Sequence, residues 1–347
     1  MHNETALLQR LKYFYQQRKS ILINPPDGPD QYQELDITGV LHDNYGNFQT
    51  WYGRVNHPVW FDCHLIDSPP EHDLVILFLP KGKQRLIAQL KLLAGRVKPN
   101  TILILIGAND TGIKSAGKIL HTYGCEAVRK IDTARHCQAW FGQLSNIQTT
   151  ILDDLMTHWP ISGHTEQTIQ LASLPGTFAA GKLDPGSALL LDTLSTYLKQ
   201  NKKASTIENI LDFGCGSGLL SVATSQYLTN GKFDAVDIDA FAIKSCNKSF
   251  INNGINGKPK AIYLPNELQE KYHLIITNPP FHQGINTTTA ATQAFIEHLP
   301  KLLTPNGQVW LVANRFLNYE AIFEKAGTTG SVVKVTSAYK VIQAQLK

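Results

Sequence analysis

An apolar run at 207–212 ends in Asp212 and passes into glycines at alternate positions, Gly214, Gly216 and Gly218, ahead of a helix-like stretch at 218–228. Run, acid, glycine turn and helix in that order are the opening of a parallel α/β unit. The rest of the half-chain keeps the alternation. Strands are expected at 233–237, 260–263, 273–277 and 308–312, and helices at 240–253 and 290–303. Gly254 closes the first helix, and a Pro305-Asn306-Gly307 turn follows the second. A helix at 318–326 and strands at 331–336 and 339–343 complete the unit. The pattern implies a mostly parallel sheet covered on both faces, with ligands at the C-terminal strand ends.

The first half echoes the second. Asp73-Leu-Val-Ile-Leu-Phe-Leu-Pro-Lys81 lines up with His273-Leu-Ile-Ile-Thr-Asn-Pro-Pro-Phe281, and 97–106 with 303–312, each pair joined by a helix-like stretch. This reads as a duplicated strand–helix–strand unit. The copy lacks the features of the original: Phe78 stands at the place of Asn278, Lys81 at that of Phe281, and no glycine loop precedes it. The 347 residues suit two domains, 1–160 and 161–347, joined near Trp159-Pro160-Ile161-Ser162-Gly163, where proline and glycine break the pattern.

Composition narrows the class. At 43% hydrophobic and 17% charged, the chain can bury a core and is not of the disordered type. Its net charge of +4 is compatible with a nucleic-acid partner without requiring one. Cys63, Cys125, Cys137, Cys215 and Cys246 are scattered, with no Cys-x-x-Cys pair, so neither zinc nor a disulfide framework is suggested and a reduced cytoplasm fits. The polar N-terminus lacks a signal-peptide core, and the apolar runs at 74–80 and 101–107 are too short to span a membrane. A soluble protein is expected.

The glycine loop is neither Gly-x-Gly-x-x-Gly nor a loop ending in Gly-Lys-Ser/Thr, which favours a nucleoside without phosphates over a dinucleotide or ATP. Gly214, Gly216 and Gly218 let a ligand lie against the backbone. Asp237, ending the next strand, is the expected acceptor for two ribose hydroxyls, with Ile238 against the adenine. A plain tight turn is the bland reading of the loop alone.

Asn278-Pro279-Pro280-Phe281 ends the strand at 273–277, on the same sheet edge. An exocyclic amino group is a poor nucleophile because its lone pair is delocalised. The Asn278 side-chain oxygen and the Pro279 carbonyl can each accept one N–H, localising that lone pair. The prolines fix the backbone, and Phe281 offers a stacking face for a base. His282 either contacts substrate or caps the loop. A methyl donor with a sulfonium needs no metal or nucleophile, so loop and tetrapeptide together point to an S-adenosylmethionine-dependent methyltransferase acting on an amino nitrogen. A second Asn-Pro-Pro, at Asn24-Pro25-Pro26, has no aromatic after it and reads as a loop.

These stretches resemble class I methyltransferases, and nearly the whole chain is similar to the RsmC family of small-subunit (16S) ribosomal RNA guanine-N2 methyltransferases. The matching stretches are 174–178, 183–191, 211–222, 277–284 and 312–317, with 80–83, 107–112 and 132–135 in the first half. The resemblance implies an α/β fold of two tandem class I (Rossmann-like) methyltransferase domains, the N-terminal one degenerate and serving folding and RNA binding. It implies methylation of one guanine in the assembled small ribosomal subunit, by a cytoplasmic monomer. By position it makes Phe178, Leu183 and Ser187 cofactor-lining, beside Asp212, Gly214, Gly216 and Asp237. It assigns the base to Asn278 through Phe281. Two departures stand out. His273 replaces a common Asp, and the usual acidic adenine contact is missing, with Asn266 its nearest substitute. Lys81, Lys83 and Arg85 read either as phosphate contacts or as a solvated helix start. Methylation of adenine N6 or protein glutamine, and a non-catalytic RNA-binding assembly factor, are the competing readings.

Overall fold

A computed structural model describes residues 1–145, 150–162, 167–201, 204–279 and 285–347, with 285–289 described by backbone alone. The chain divides into two compact units, Met1–Met156 and Thr157–Lys347.

The first unit holds β1 (Lys19–Ile23), β2 (Asp36–His42), β3 (Val59–Phe61), β4 (Leu74–Phe78), β5 (Thr101–Ala108), β6 (Cys125–Ala134) and β7 (Cys137–Leu144). The second holds β8 (Thr157–Ile161), β9 (Ile169–Ser173), β10 (Asn209–Phe213), β11 (Lys232–Asp237), β12 (Gly257–Ala261), β13 (Tyr272–Thr277), β14 (Leu303–Asn314), β15 (Thr328–Val335) and β16 (Tyr339–Leu346). The large sheets run β3-β2-β1-β4-β5-β7-β6 and β12-β11-β10-β13-β14-β16-β15. Adding nine to each strand number of the first gives the second. In both, five parallel strands are followed by one reversed strand, and the edge strand beyond it pairs antiparallel with that strand and so runs with the first five. An apolar cluster covers each face of each sheet. This is the α/β, tandem class I architecture expected.

Register carries the comparison to single residues. Ile23 pairs with Leu41 and Leu77 in the first sheet, and Phe213 pairs with Val236 and Thr277 in the second. One residue along from these pairs, His42 occupies the place of Asp237 and Phe78 that of Asn278. Leu22, one residue before Ile23, occupies the place of Asp212. Asn24-Pro25-Pro26 therefore stands where the second unit has its glycine loop. Strand pairing matches between the units, while the two acids and the asparagine of that edge do not recur in the first.

Two local patterns differ from expectation. The proline and glycine near 159–163 are expected to break the pattern, yet Thr157–Ile161, at the start of the second unit, is a strand paired antiparallel with Ile169–Ser173. Proline is tolerated there because the sheet has only two strands, and Pro160 lies on an edge that needs no N–H. The Pro305-Asn306-Gly307 turn sits inside β14. Pairing jumps from Tyr272–Leu303 to Leu274–Gln308, so residues 304–307 bulge from the ladder. A Cβ at Gly307 would lie 2.6 Å from the Tyr272 carbonyl oxygen, so this close approach requires glycine. No helix among the described residues is long and apolar enough to cross a membrane.

His42 is fully buried and neither ring nitrogen has a partner. Burial pushes its imidazole down to about 3. Unfolded chains protonate this group below about 6.5 and the folded unit does not, so its contribution falls as pH drops through that window. His42→Leu should stabilise the first unit by about 1–3 kcal/mol near neutrality. In thermal melts, the variant's advantage should widen between about pH 6.5 and 4.

Candidate active site

Strands β11, β10 and β13 lie side by side and parallel, so their C-terminal ends share one edge. Asp237 ends β11, Asp212 is the penultimate residue of β10, and Asn278 directly follows β13. Ladder geometry brings these three together, although up to 66 positions separate them in the chain.

The glycine loop bridges β10 to the helix Leu219–Ser225. Gly214, Gly216 and Gly218 have φ of 75°, 54° and 82°, which glycine adopts without strain. The Gly214 and Cys215 N–H groups both donate to the Val236 carbonyl, pinning the loop to β11. Gly216 N–H donates to Asp237 Oδ2 at 3.0 Å, and Asp239 N–H donates to Oδ1 at 3.0 Å. Each carboxylate oxygen retains acceptor capacity. A Cβ at Gly214 or Gly216 would meet nothing within 4 Å, so the loop presents bare backbone to open space. Gly218 differs. Its Cβ would come within 2.8 Å of Cys246 Sγ, so this glycine serves packing against the helix Ala240–Asn253.

Asp212 is fully buried. Its Oδ2 accepts from Ser221 N–H at 3.1 Å and from Ser221 Oγ at 2.7 Å, while Oδ1 has no partner. Burial pushes its carboxyl up to about 7, against the opposing bonds from Ser221. Asp237 is half-buried, and its carboxyl is raised to about 6 by burial and the neighbouring Asp239 charge. Two acids without a cationic partner at one edge favour a ligand bearing positive charge.

Asn278 is 9% exposed. Its Nδ2 donates to Ser187 Oγ at 2.8 Å and to Asp184 Oδ2 at 3.1 Å. Its Oδ1 is buried with no partner. Thr277 Oγ1 donates to the Phe213 carbonyl at 2.7 Å, tying the ends of β13 and β10 together. Pro279 is buried. Pro280, Phe281 and His282 lie outside the described residues.

The other expected residues are dispersed. Phe178 is 48% exposed, Leu183 packs against the apolar core, and Ile238 is half-buried beside Asp237. Asn266 is exposed in a short turn, Pro265–Glu267. Ser187, expected to line the cofactor site, instead has its hydroxyl against Asn278. In the first unit Lys81 and Lys83 are exposed, but Arg85 is 6% exposed and ion-paired with Asp43 at 3.4 Å. The reading of Arg85 as a phosphate contact is therefore corrected. It opens the buried face of the helix Lys83–Ala94 and is turned inward. Sequence reasoning missed Asp184. Asp184-Pro185 followed by Ser187 is a helix-start signature, which was legible, but its bond to Asn278 was not.

The model of the "Methyltransferase small domain" family matches residues 168–343, and that of "Methyltransferase small domain N-terminal" matches residues 5–159. Fold, sheet edge and these matches define a methyltransferase. Ribosomal RNA small subunit methyltransferase C of Aliivibrio salmonicida is 31% identical over 97% of this chain and 96% of its own length. That of Acinetobacter baylyi is 32% identical over 94% of each. The chain belongs to the ribosomal RNA small subunit methyltransferase C family. A solved T. thermophilus 16S rRNA N2 G1207 methyltransferase, in complex with AdoMet and guanosine, shares the fold with a TM-score of 0.79. The identity is 23%, over 95% of this chain and 88% of that one.

Asp212 gives a pH signature. Its ordinary value is 3.8, so the folded state holds a proton up to about 7 that the unfolded chain has released. Its contribution to stability is full below about pH 4 and is lost as pH rises through about 7. Melting curves of Asp212→Asn and the parent should diverge in the variant's favour across that window and run parallel above it.

Proposed function

We propose that this chain transfers a methyl group from S-adenosylmethionine to the exocyclic N2 of one guanine in 16S rRNA, in the cytoplasm and within the assembled small subunit. The observation that carries this is the buried, unpartnered Oδ1 of Asn278 at the strand edge that also holds the glycine loop and Asp237. Family membership supports the choice of RNA.

The residues present fit the cofactor. Gly214 and Gly216 offer open backbone, Asp237 has lone pairs left for ribose hydroxyls, and the acids Asp212 and Asp237 suit a cation. Ile238 and Leu183 would supply apolar contact, with Phe178 and Asn266 at the margin. S-adenosylmethionine supplies a methyl already activated by its sulfonium. The chain's task is then alignment. Asn278 Oδ1 and the Pro279 carbonyl each accept one N–H of the amino group, which frees the nitrogen lone pair for transfer. The proton released afterwards goes to water. Phe281 would stack on the base, with Pro280 and His282 beside it. A stacked guanine must first leave its helix.

The first unit, which lacks the two acids and the asparagine at its sheet edge, would serve folding and RNA binding, with exposed Lys81 and Lys83 on phosphates.

Asn278→Ala should lower kcat for methyl transfer to small subunits by roughly 10²–10³-fold, while the Kd for S-adenosylmethionine stays within about twofold. Nucleoside mass spectrometry of rRNA from a deletion strain should show loss of N2-methylguanosine at one position. Loss of N6-methyladenosine instead would move the assignment to adenine.

A further inference from the structure

We propose that Asp184 and Ser187 form a clamp that sets which way the Asn278 carboxamide faces, making both of them positioning residues for the reaction. The proposal rests on the reading of Asn278 as acceptor for the substrate amino group.

Asp184 is the N-cap of the helix Pro185–Gln200. Its Oδ2 accepts from Ser187 N–H at 2.9 Å, the usual cap bond, and the same oxygen also accepts from Asn278 Nδ2 at 3.1 Å. Ser187, at the third helical position, accepts the other Asn278 N–H on its Oγ at 2.8 Å. A carboxamide NH2 has two donors, and here both are used. The carboxamide oxygen is left buried with nothing to accept.

The amide can rotate by half a turn at little intrinsic cost, and only its surroundings choose between the two states. In the flipped state Oδ1 would face the Asp184 carboxylate and the Ser187 oxygen at bonding distance. Against Asp184 an acceptor would oppose a charged acceptor, both bonds from Nδ2 would be lost, and only the Ser187 hydroxyl could turn to donate in their place. The outward group would then be NH2, which cannot receive an N–H from a base. Orientation therefore decides whether the site takes an amino group or rejects it.

The arrangement places a capping residue in a second role, so the test must keep the cap. Serine caps helices about as well as aspartate, but its shorter side chain cannot also span to Nδ2. Asparagine retains an oxygen able to serve both partners. The assay is methyl transfer from S-adenosylmethionine to small ribosomal subunits of the deletion strain, using the full chain. Asp184→Ser should lower kcat roughly tenfold, and Asp184→Ser with Ser187→Ala roughly a hundredfold. KM for the subunit and Kd for S-adenosylmethionine should move by less than about twofold in both. Asp184→Asn should recover most of the Asp184→Ser loss. Against an Asn278→Ala background, Asp184→Ser should change the residual rate by less than about twofold, since the group it orients is gone. Equal losses with and without Asn278 would overturn the clamp, as would unaltered kcat in the double variant. An Asn278→Ala chain of undiminished activity would instead overturn the underlying function, and is read separately.

Discussion

The parallel ladder of β11, β10 and β13 is the constraint on which the site depends. Its hydrogen bonds set Asp212 opposite Ala235 and Ile276, so the ends of three distant segments reach the same level. No chemical group here is placed by a long flexible side chain. Asp237 is held by backbone N–H groups of Gly216 and Asp239, Asp212 by Ser221, and Asn278 by Asp184 and Ser187. Each short side chain is restrained by groups at the start of a helix. A site built this way is stiff, which suits a reaction whose protein contribution is alignment.

The first unit shows what that ladder does without the chemistry. It keeps the strand order, the change from parallel to antiparallel pairing, and a cluster on each sheet face. At the three equivalent positions it has Leu22, His42 and Phe78, all buried. Two of these are core-forming side chains that need no partner. His42 is the exception, a polar group kept neutral by burial in a slot the second unit gives to an acid. Sheet architecture and catalytic apparatus are thus separable, and a duplicated domain can lose the second while strengthening the packing that maintains the first.

How far the sequence spoke depended on the kind of interaction. Parallel strands, the glycine turn and the internal echo are local patterns of apolar spacing and glycine, and they were legible down to Phe78 replacing Asn278. Pairing geometry was less so. The Pro305-Asn306-Gly307 segment has a turn's composition, but β13 pairs on both sides of it, at Leu303 and again from Gln308, so the segment is a bulge within β14. Pro160 looked like a break, yet a two-stranded edge can tolerate it. Arg85 read as surface charge because spacing alone cannot show that Asp43, 42 residues away, waits beneath it. The tie between Asp184 and Asn278 spans 94 residues and leaves no mark in either motif.

Asp212 and Asp237 sharpen the relation between stability and function. Burying a carboxylate without a cation disfavours its charged form, which is why both acids titrate so high. A purely structural site would replace them with apolar residues, as Leu22 does in the first unit. Retaining them makes sense if a positively charged ligand completes the site, since attraction to that charge is greatest where solvent screens least. Such a ligand binds the folded chain and not the unfolded one, so it stabilises the second unit by mass action. On this argument a cation bound beside Asp212 and Asp237 would offset the cost of desolvating them, which would favour a charged ligand over a neutral nucleoside.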